Sequence, residues 1–380
     1  PPGIDSIHFN PAGLSLLECR SMQLKFLFGN VDISGEFNSN EDYDQLLAEY
    51  SEHDPIANTT SSIDRFAFYS PISGITDISV TAAIFGGASY TTPDRKFTFA
   101  TKAYSPLVGG YVRDEDDPGR YFGQRAAISR ITFFSPTMSY KVSDKLALGA
   151  GIGFSYVGAG LDIDFRAPNV GIGILKNIAD AACAGEDNGF IFEGVPLDLC
   201  GGKLSPFESL LFVEVEMEKA LSTTFNFGFL WHPAPWLTIG GVYQSEAIDR
   251  LEGDVSILLH DNLIGFTQSL ADSNPLIYSF IEAAELTKNH QIIQTGGDLT
   301  FTLPAHFSIG LSLQVTPNIK FNLDWKWSET SSWDDITINF DKRIVWLDLL
   351  ATVGVSNVSC TSLTLPRGSK VATNFAYGLE

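Results

Sequence analysis

The sequence lacks any charge-free apolar run of the roughly 18 residues that a membrane-spanning helix needs, which argues against such a helix. Positive charge is also scarce: 24 Lys and Arg stand against 45 Asp and Glu, and the formal net charge is −21. Because nucleic-acid binding requires a basic surface, we expect no nucleic-acid partner. A charged fraction of only 18% and the presence of 28 Phe argue against a disordered chain.

Signatures of catalysis are missing as well. The sequence has no GxSxG, HExxH or P-loop motif, and its six histidines are scattered. The glycines of residues 149–153 lie inside an alternating strand pattern rather than at a strand-to-helix turn, so they do not indicate a dinucleotide site. We therefore expect no enzyme activity, no cofactor and no metal site.

The four cysteines form no CxxC pair, which gives little support for a zinc or redox site. Cys183 and Cys200 lie in one inserted region and would close a loop disulfide if the compartment is oxidising, a condition that the sequence leaves open. The acidic run at residues 114–117 is typical of a solvated loop and lacks the spaced ligands of a calcium loop.

Long alternating stretches are what the sequence has in abundance. The clearest is a pair of arms, residues 306–315 and 319–328, joined by a turn at residues 316–318. Successive side chains of a strand point to opposite faces, so each arm has one apolar face. Each arm holds about ten residues, which is long for a globular strand but suits a tilted membrane-spanning strand. The apolar face carries Phe307, Ile309, Leu311, Leu313, Val315, Ile319, Phe321, Leu323, Trp325 and Trp327.

The connections between such arms are of two kinds. Short turns are predicted at residues 142–145, 232–235 and 316–318, whereas long loops occupy the opposite end. This asymmetry is typical of an outer-membrane barrel with short periplasmic turns and long outer loops. A soluble sandwich would have shorter strands and would not separate its turns by length. The sequence therefore predicts an all-β fold, a transmembrane antiparallel β-barrel.

The loops and ends refine this prediction. Apolar segments at residues 170–184 and 261–287 predict helices, and the Gly- and Asp-rich residues 109–120 predict a loop. One face of residues 146–156 is made of small residues, mostly Gly, which indicates close approach of another backbone, as in a crowded lumen. The chain stops at Glu380 within an alternating strand; since a barrel cannot leave an open edge in lipid, we expect more sequence to follow.

Four segments, in collinear order, resemble the FadL/TodX family of outer-membrane transporters for long-chain fatty acids and hydrocarbons. Residues 10–14 resemble the family's NPA segment, and residues 139–149 resemble its "Y-x-hydrophobic-x-D-K-L-x-L-G" hairpin. Residues 225–253 resemble its paired strands that end in a leucine-acid-glycine step. The last block runs from residues 303–305 through the turn at 316–318 to Asp324-Trp325 and Ser332-Trp333.

The resemblance implies a 14-stranded barrel that is plugged by an N-terminal hatch and carries helical extracellular loops. On this basis residues 1–19 are a remnant of the hatch and residues 20–380 form the barrel, whose last strands are expected to be missing. The resemblance also implies the bacterial outer membrane as location, membrane lipid and lipopolysaccharide as surroundings, and a monomer.

The resemblance further implies where ligands bind. The family meets a ligand carboxylate with basic lumen side chains, and by rough alignment Arg166 and Lys342 fall near them. The alternative is a charge at the base of a loop, paired with an acid such as Asp164 or Asp341. The hatch residues expected to contact the lumen are Asn10, Pro11 and Ala12. Apolar faces of the two predicted loop helices suggest an external capture groove, or else ordinary packing of these helices against each other; the groove residues are Phe266, Leu270 and Phe280.

The resemblance therefore implies passive uptake of hydrophobic compounds, first of all long-chain fatty acids, through lumen sites, hatch movement and a lateral opening in the wall. Aromatic or aliphatic hydrocarbons are the alternative ligands within the same family. A general porin is another alternative, although porins have a charged open constriction and the inward faces here are dominated by Gly, Ser, Thr and Asn. A secreted adhesin is the third, which heat-modifiable membrane extraction would separate from a barrel.

Overall fold

The computed structural model describes residues 3–29, 32–38, 54–78, 81–184, 190–192, 195–283, 286, 291–333, 335–344, 347–348, 351, 357–366 and 369–379. These residues form one 18-stranded antiparallel sheet and two small two-stranded sheets. No helix in this part of the chain is long and apolar enough to cross a membrane.

Alternation of side chains produces the long strands that the sequence predicts. The strands are β1 (Arg20–Gly29), β2 (Ile33–Phe37), β3 (Thr59–Ile63), β4 (Arg65–Ser70), β5 (Gly74–Ile78), β6 (Thr81–Thr91), β7 (Phe97–Val112), β8 (Arg125–Phe134), β9 (Thr137–Ser143), β10 (Leu146–Phe165), β11 (Phe190–Phe192), β12 (Val195–Leu197), β13 (Leu211–Ala234), β14 (Leu237–Gln244), β15 (Ala247–Leu259), β16 (Ile292–Leu303), β17 (His306–Thr316), β18 (Ile319–Ser328), β19 (Ile336–Phe340), β20 (Val358–Ser359), β21 (Ser362–Leu365) and β22 (Ala372–Leu379). The α-helices are α1 (Ser6–Phe9), α2 (Val170–Cys183), α3 (Asp261–Ser273) and α4 (Pro275–Ala283), and 3₁₀ helices cover Pro11–Leu16, Pro118–Phe122 and Thr330–Ser332.

Most neighbouring strands of the barrel wall are close to each other in the sequence, although several pairings skip strands. β1 pairs with β6, β6 with β7, β7 with β8 and β9, and both of these with β10. β10 pairs along most of its length with β13, which continues to β14 and β15. The wall then passes through β16 and β17 to β18 and β19, and reaches β21 and β22.

The three turns predicted to be short do lie on one rim of the wall. Leu146 pairs with Trp231, Ala234 with Leu237, and Leu237 with Leu313, so the hairpin ends are neighbours. The β6–β7 connection joins the same rim, since the Lys141 amide donates to the carbonyl of Lys96 over 2.8 Å. The predicted separation of short turns from long loops is confirmed.

The outward face of the wall carries an apolar band. On β13 it extends from Leu221 to Trp231 and includes Phe225 and Phe227, all of them exposed to the surroundings of the barrel. The outward side chains beyond Leu221 are Glu214, Glu216 and Glu218, which are also exposed. Because carboxylates on a lipid-facing surface are destabilising, the bilayer ends near Leu221 and the outer part of β13 projects beyond it.

Two elements differ from their prediction. β7 continues to Val112 through the expected loop because Gly110 and its neighbours pair with Ala127 and the rest of β8, so tertiary pairing overrides a weak local strand signal. The helix predicted over residues 261–287 is broken at Asn274, where Pro275 begins α4, because the residue before a proline avoids the helical conformation. Residues 284, 285 and 287 of that prediction lie outside the described residues.

Candidate functional site

Residues 3–19, the N-terminal segment, lie inside the curve of the wall. The segment consists of α1 and the 3₁₀ helix Pro11–Leu16, joined at Asn10, whose backbone is extended. The Asn10 side-chain oxygen accepts a hydrogen bond from the Ala12 amide over 3.0 Å and so caps the second helix. Ile7, Ala12 and Leu14 are buried.

Asn10 also ties the segment to the wall. Its side-chain nitrogen donates to the carbonyl of Phe229 on β13 over 3.0 Å and to that of Gly241 on β14 over 3.2 Å. On either side, the Ser139 hydroxyl of β9 donates to the Ala12 carbonyl and the Asn226 amide of β13 donates to the Ile7 carbonyl. One short segment thus contacts β9, β13 and β14, which shows that the sheet curves around it.

Glycine makes this close approach feasible. A Cβ atom at Gly149 on β10 would lie 2.3 Å from the backbone nitrogen of Ala12, and one at Gly228 on β13 would lie 2.2 Å from the Asn10 side-chain oxygen. Such distances are not tolerated between real atoms. The small-residue face that the sequence places toward a crowded lumen is therefore confirmed as the surface that receives the N-terminal segment.

An ionic contact holds the other end of the segment. The Asp5 carboxylate bonds to the ammonium groups of Lys102 on β7 and Lys25 on β1. Burial raises the pKa of the Asp5 carboxyl, but hydrogen bonds from Lys102 and Lys25 outweigh it and leave the pKa below its ordinary value. Asp5 is thus held as a carboxylate against the wall.

A second charged group lies farther along the inner wall, and sequence reasoning missed it. Arg130 on β8 is 0% exposed and bonds to Asp249 of β15 over 2.7 Å and to the Ser222 hydroxyl over 2.7 Å. Lys219 of β13, 34% exposed, bonds to the other Asp249 oxygen over 2.9 Å. The sequence does contain one sign of this cluster: Asp249 is a charged residue on the face of β15 that also carries the buried Ala247 and Leu251.

Beyond this lumen cluster (Arg130, Lys219, Ser222 and Asp249), the interior becomes apolar. Inward side chains of β10, β13, β15 and β16 pack with residues of α3 and α4 into one buried core, which includes Val215, Met217, Leu251, Ile257 and Ile264. A cavity of about 20 Å³ remains within it, lined by Phe165, Leu211, Val213, Ile257, Phe340, Leu347, Val358 and Leu363. Among the described residues, this upper compartment is therefore apolar and almost completely filled by side chains.

The two basic residues expected to meet a carboxylate lie at the outer ends of strands. Arg166, which follows β10, makes a bidentate contact with Asp54 at 2.6 and 2.9 Å and stacks 4.6 Å from the Tyr121 ring centroid. Its acid partner is thus Asp54, whereas Asp164 bonds to Arg120 and His260. Lys342 follows β19, is exposed, and its amide donates to the Thr295 hydroxyl over 3.1 Å.

The expected groove residues are divided between core and surface. Phe266 is 5% exposed and packs with Ile172 and Leu204, and Leu270 packs against both this group and the upper compartment. Phe280 of α4 is 56% exposed, and Leu276, one helical turn earlier, is 82% exposed. Exposed apolar surface is therefore present on α4, and Ile174 and Ile178 add to it on α2. A disulfide between Cys183 and Cys200 joins α2 to the following loop.

The wall itself is interrupted near the level of the N-terminal segment. β8 ends at Phe134 and β9 begins at Thr137, while the register of β7 against β8 shifts between Tyr104 and Leu107. Each interruption contains a proline, Pro106 or Pro136, and proline cannot donate to a ladder hydrogen bond. On the outer face of the wall, an apolar groove of about 770 Å³ lies beside Pro136. Its lining includes Tyr90, Phe99, Phe134, Met138, Ile152, Phe225 and Phe227.

Comparison with solved structures identifies the fold. A FadL homologue of Pseudomonas aeruginosa superposes with a TM-score of 0.62 at 16% identity, covering 100% of this chain and 72% of that one. The toluene transporter TbuX of Ralstonia pickettii gives 0.55 at 16% identity, covering 99% of this chain and 77% of that one. The toluene transporter TodX of Pseudomonas putida gives 0.54 at 12% identity, covering 99% and 75%.

Among curated protein sequences, none matches the chain significantly. A family description, "Outer membrane protein transport protein (OMPP1/FadL/TodX)", matches residues 1–379, which is nearly the whole sequence. The chain therefore belongs to the OMPP1/FadL/TodX family and is an outer-membrane β-barrel transporter of hydrophobic compounds.

Proposed function

We propose that this transporter takes up long-chain fatty acids, binding the carboxylate at the lumen cluster and the alkyl chain in the upper compartment. The supporting observation is a charge imbalance. Arg130 and Lys219 share the single carboxylate of Asp249, which leaves one positive charge uncompensated within the cluster. Lys219, 34% exposed, is the member of the pair that an incoming carboxylate reaches.

The route begins at the outside, where Leu276 and Phe280 of α4 offer an exposed apolar surface for capture. The alkyl chain of the ligand then enters the upper compartment. This compartment must widen, because a cavity of about 20 Å³ is too small for an alkyl chain. Below the lumen cluster, the N-terminal segment acts as the hatch. We place the lateral exit toward lipid, which an apolar ligand favours over water, at the outer-face groove beside Pro136.

Hydrocarbons are the alternative ligands, and the relatives named as toluene transporters favour them. An aromatic hydrocarbon would use the same apolar compartment but gains nothing from a positive charge. A general porin is less well supported, because the described interior is occupied by a packed apolar core instead of an open polar channel.

Binding of radiolabelled oleate and toluene to the full-length protein, compared between wild type and Lys219→Gln, tests the proposal. We expect the variant to bind oleate about tenfold more weakly, the size of one charge-assisted hydrogen bond, and to bind toluene unchanged. Lys176→Gln on α2, where the lysine bonds to Asp180 away from the lumen cluster, is the matched control. Equal binding of oleate by wild type and Lys219→Gln would contradict the assignment.

Arg166→Ala and Lys342→Ala belong in the same experiment. If either weakens oleate binding more than Lys219→Gln does, the carboxylate site lies at the outer strand ends rather than at the lumen cluster. Arg166→Ala also removes the bidentate contact to Asp54, so heat-modifiable migration of each variant must first show an intact barrel.

A further inference from the structure

The Lys102–Asp5 contact, at the N-terminal end of the segment, is more buried than an ordinary surface ion pair. The Lys102 side chain is 11% exposed, and Asp5 is 23% exposed. The Lys102 ammonium lies 5.4 Å from the ring centroid of Tyr104 and 5.6 Å from that of Phe85. A cation in such surroundings has lost most of its hydration, so removing its carboxylate partner is strongly unfavourable unless another anion takes its place.

The same lysine is continuous with the lumen cluster. Tyr104 faces Thr132 across the β7–β8 pairing, and Thr132 lies two residues from Arg130 on the same strand face. Lys102 lies two residues from Tyr104 on β7. Two residues of strand span roughly 7 Å, so Lys102 lies roughly 14 Å beyond Arg130 along the inner wall. Lys102 is therefore the next basic side chain beyond the lumen cluster on the inner face of β7 and β8.

We propose that Lys102 couples the acidity of the ligand to release of the N-terminal segment: a ligand carboxylate replaces Asp5 on the Lys102 ammonium, and Asp5 departs with the segment. The inference rests on the proposed function. Lys102 keeps one carboxylate partner before and after the exchange, so no buried charge is left without a counter-charge. A neutral hydrocarbon cannot make this exchange and must pass without releasing Asp5.

Asp5 retains Lys25 as a second partner, but that lysine is 49% exposed and its contact with Asp5 is screened by solvent. After the exchange, the Asn226 bond to the Ile7 carbonyl and the Asn10 bonds to the carbonyls of Phe229 and Gly241 still hold the segment. The segment is thus expected to loosen from its Asp5 end, near Lys102, while the part around Asn10 stays in place.

Hydrogen exchange of residues 4–9 in the full-length protein, held in lipid nanodiscs, tests the coupling. The probes are oleate and oleyl alcohol, which share a chain and differ in the carboxylate. In wild type we expect oleate to accelerate exchange about tenfold, since one charge-assisted bond is lost, and oleyl alcohol to leave it unchanged. Acceleration by oleyl alcohol equal to that by oleate would overturn the proposal.

Variants test whether the response to oleate depends on Lys102 or reflects a general loosening of the N-terminal segment. Lys102→Met is expected to abolish the difference between oleate and oleyl alcohol, whereas Lys25→Met raises resting exchange but keeps that difference. Asp5→Asn should show fast exchange before any ligand is added, with little further response. A Lys102→Met protein that keeps the full oleate response would refute the role of Lys102.

A separate measurement of oleate binding distinguishes the two proposals. If oleate binds but exchange of residues 4–9 does not respond, the coupling is wrong and the proposed function stands. If wild-type protein binds no oleate, both fail.

Discussion

At the residue scale, glycine determines how the N-terminal segment fits. Gly149 and Gly228 face the lumen. The backbone of Pro11 and Ala12 occupies the space of the missing side chain at Gly149, and the side chains of Asn10 and Pro11 occupy that at Gly228. Glycine normally weakens a strand, so its use on the inner face of β10 is explained by close contact and not by strand stability. The barrel wall and the N-terminal segment are therefore matched to each other residue by residue.

The substitution Gly149→Ala tests this match. Its Cβ atom would meet the backbone of Pro11 and Ala12 at 2.3 Å, and backbone cannot rotate away. We expect the packing of the N-terminal segment against the wall to be destabilised by about 1–3 kcal/mol, as at other overpacked sites. Faster hydrogen exchange of residues 10–14 measures this loss. Gly109→Ala on β7 is the control, since no atom lies within 4 Å of its added Cβ. Equal effects of both substitutions would show that strand propensity, and not contact, is responsible.

At the element scale, hairpins were predictable from sequence and pairings between distant strands were not. Alternation and turn residues are local signals, so the hairpin at residues 316–318 and the helix α2 follow from the sequence. The Arg130–Asp249 pair joins residues 119 positions apart and depends on the registers of the strands between them. No local pattern specifies those registers, although the buried side of β15 already carried Asp249 as a sign of a partner.

Asp117 is the residue that fastens an outer loop to the β2–β3 hairpin. Its carboxylate accepts from the Ser61 hydroxyl over 2.7 Å, from the Ser62 amide over 3.0 Å and from the Gly119 amide over 2.6 Å. Burial raises the pKa of the Asp117 carboxyl. The hydrogen bonds and the charge of Arg113 lower it by a larger amount, so the pKa lies below its ordinary value.

The sign of the pH dependence follows from that direction. Because the folded-state pKa is depressed, the contribution of Asp117 to stability is present above the unfolded-state pKa of about 4 and is lost as the pH falls through the folded-state pKa. We expect hydrogen exchange of residues 113–124, corrected for intrinsic rates, to rise in acid. Asp117→Asn should show this loosening already at neutral pH and little further change in acid. The exposed neighbour Asp116→Asn is the control, and a matching effect there would contradict the assignment.

At the scale of the whole molecule, the position of the apolar band fixes how the barrel lies in the membrane. In the hairpin of β17 and β18, Leu311 faces Leu323 on the outer side, whereas Ser312 bonds to Asn322 and a Cβ at Gly310 would meet Asp324 on the inner side. The same orientation holds on β14, where Ile239 pairs with Leu311. The polar residues of this hairpin therefore face the lumen.

Bilayer depth along one strand face provides the test of this orientation. Leu311 is far from the turn that follows β17, whereas Val315 lies beside that turn and is 63% exposed. Leu311→Arg should cost about 2–4 kcal/mol near the bilayer midplane, and Val315→Arg about 0–1 kcal/mol near the interface, because the cost of a charge on the lipid face depends on depth. Reversible unfolding by urea in lipid vesicles measures both values. A lumen-facing Leu311 would tolerate the Arg as readily as Val315 does, since water and polar side chains would solvate the guanidinium; equal costs at the two positions would therefore reverse the assignment of the inner and outer faces.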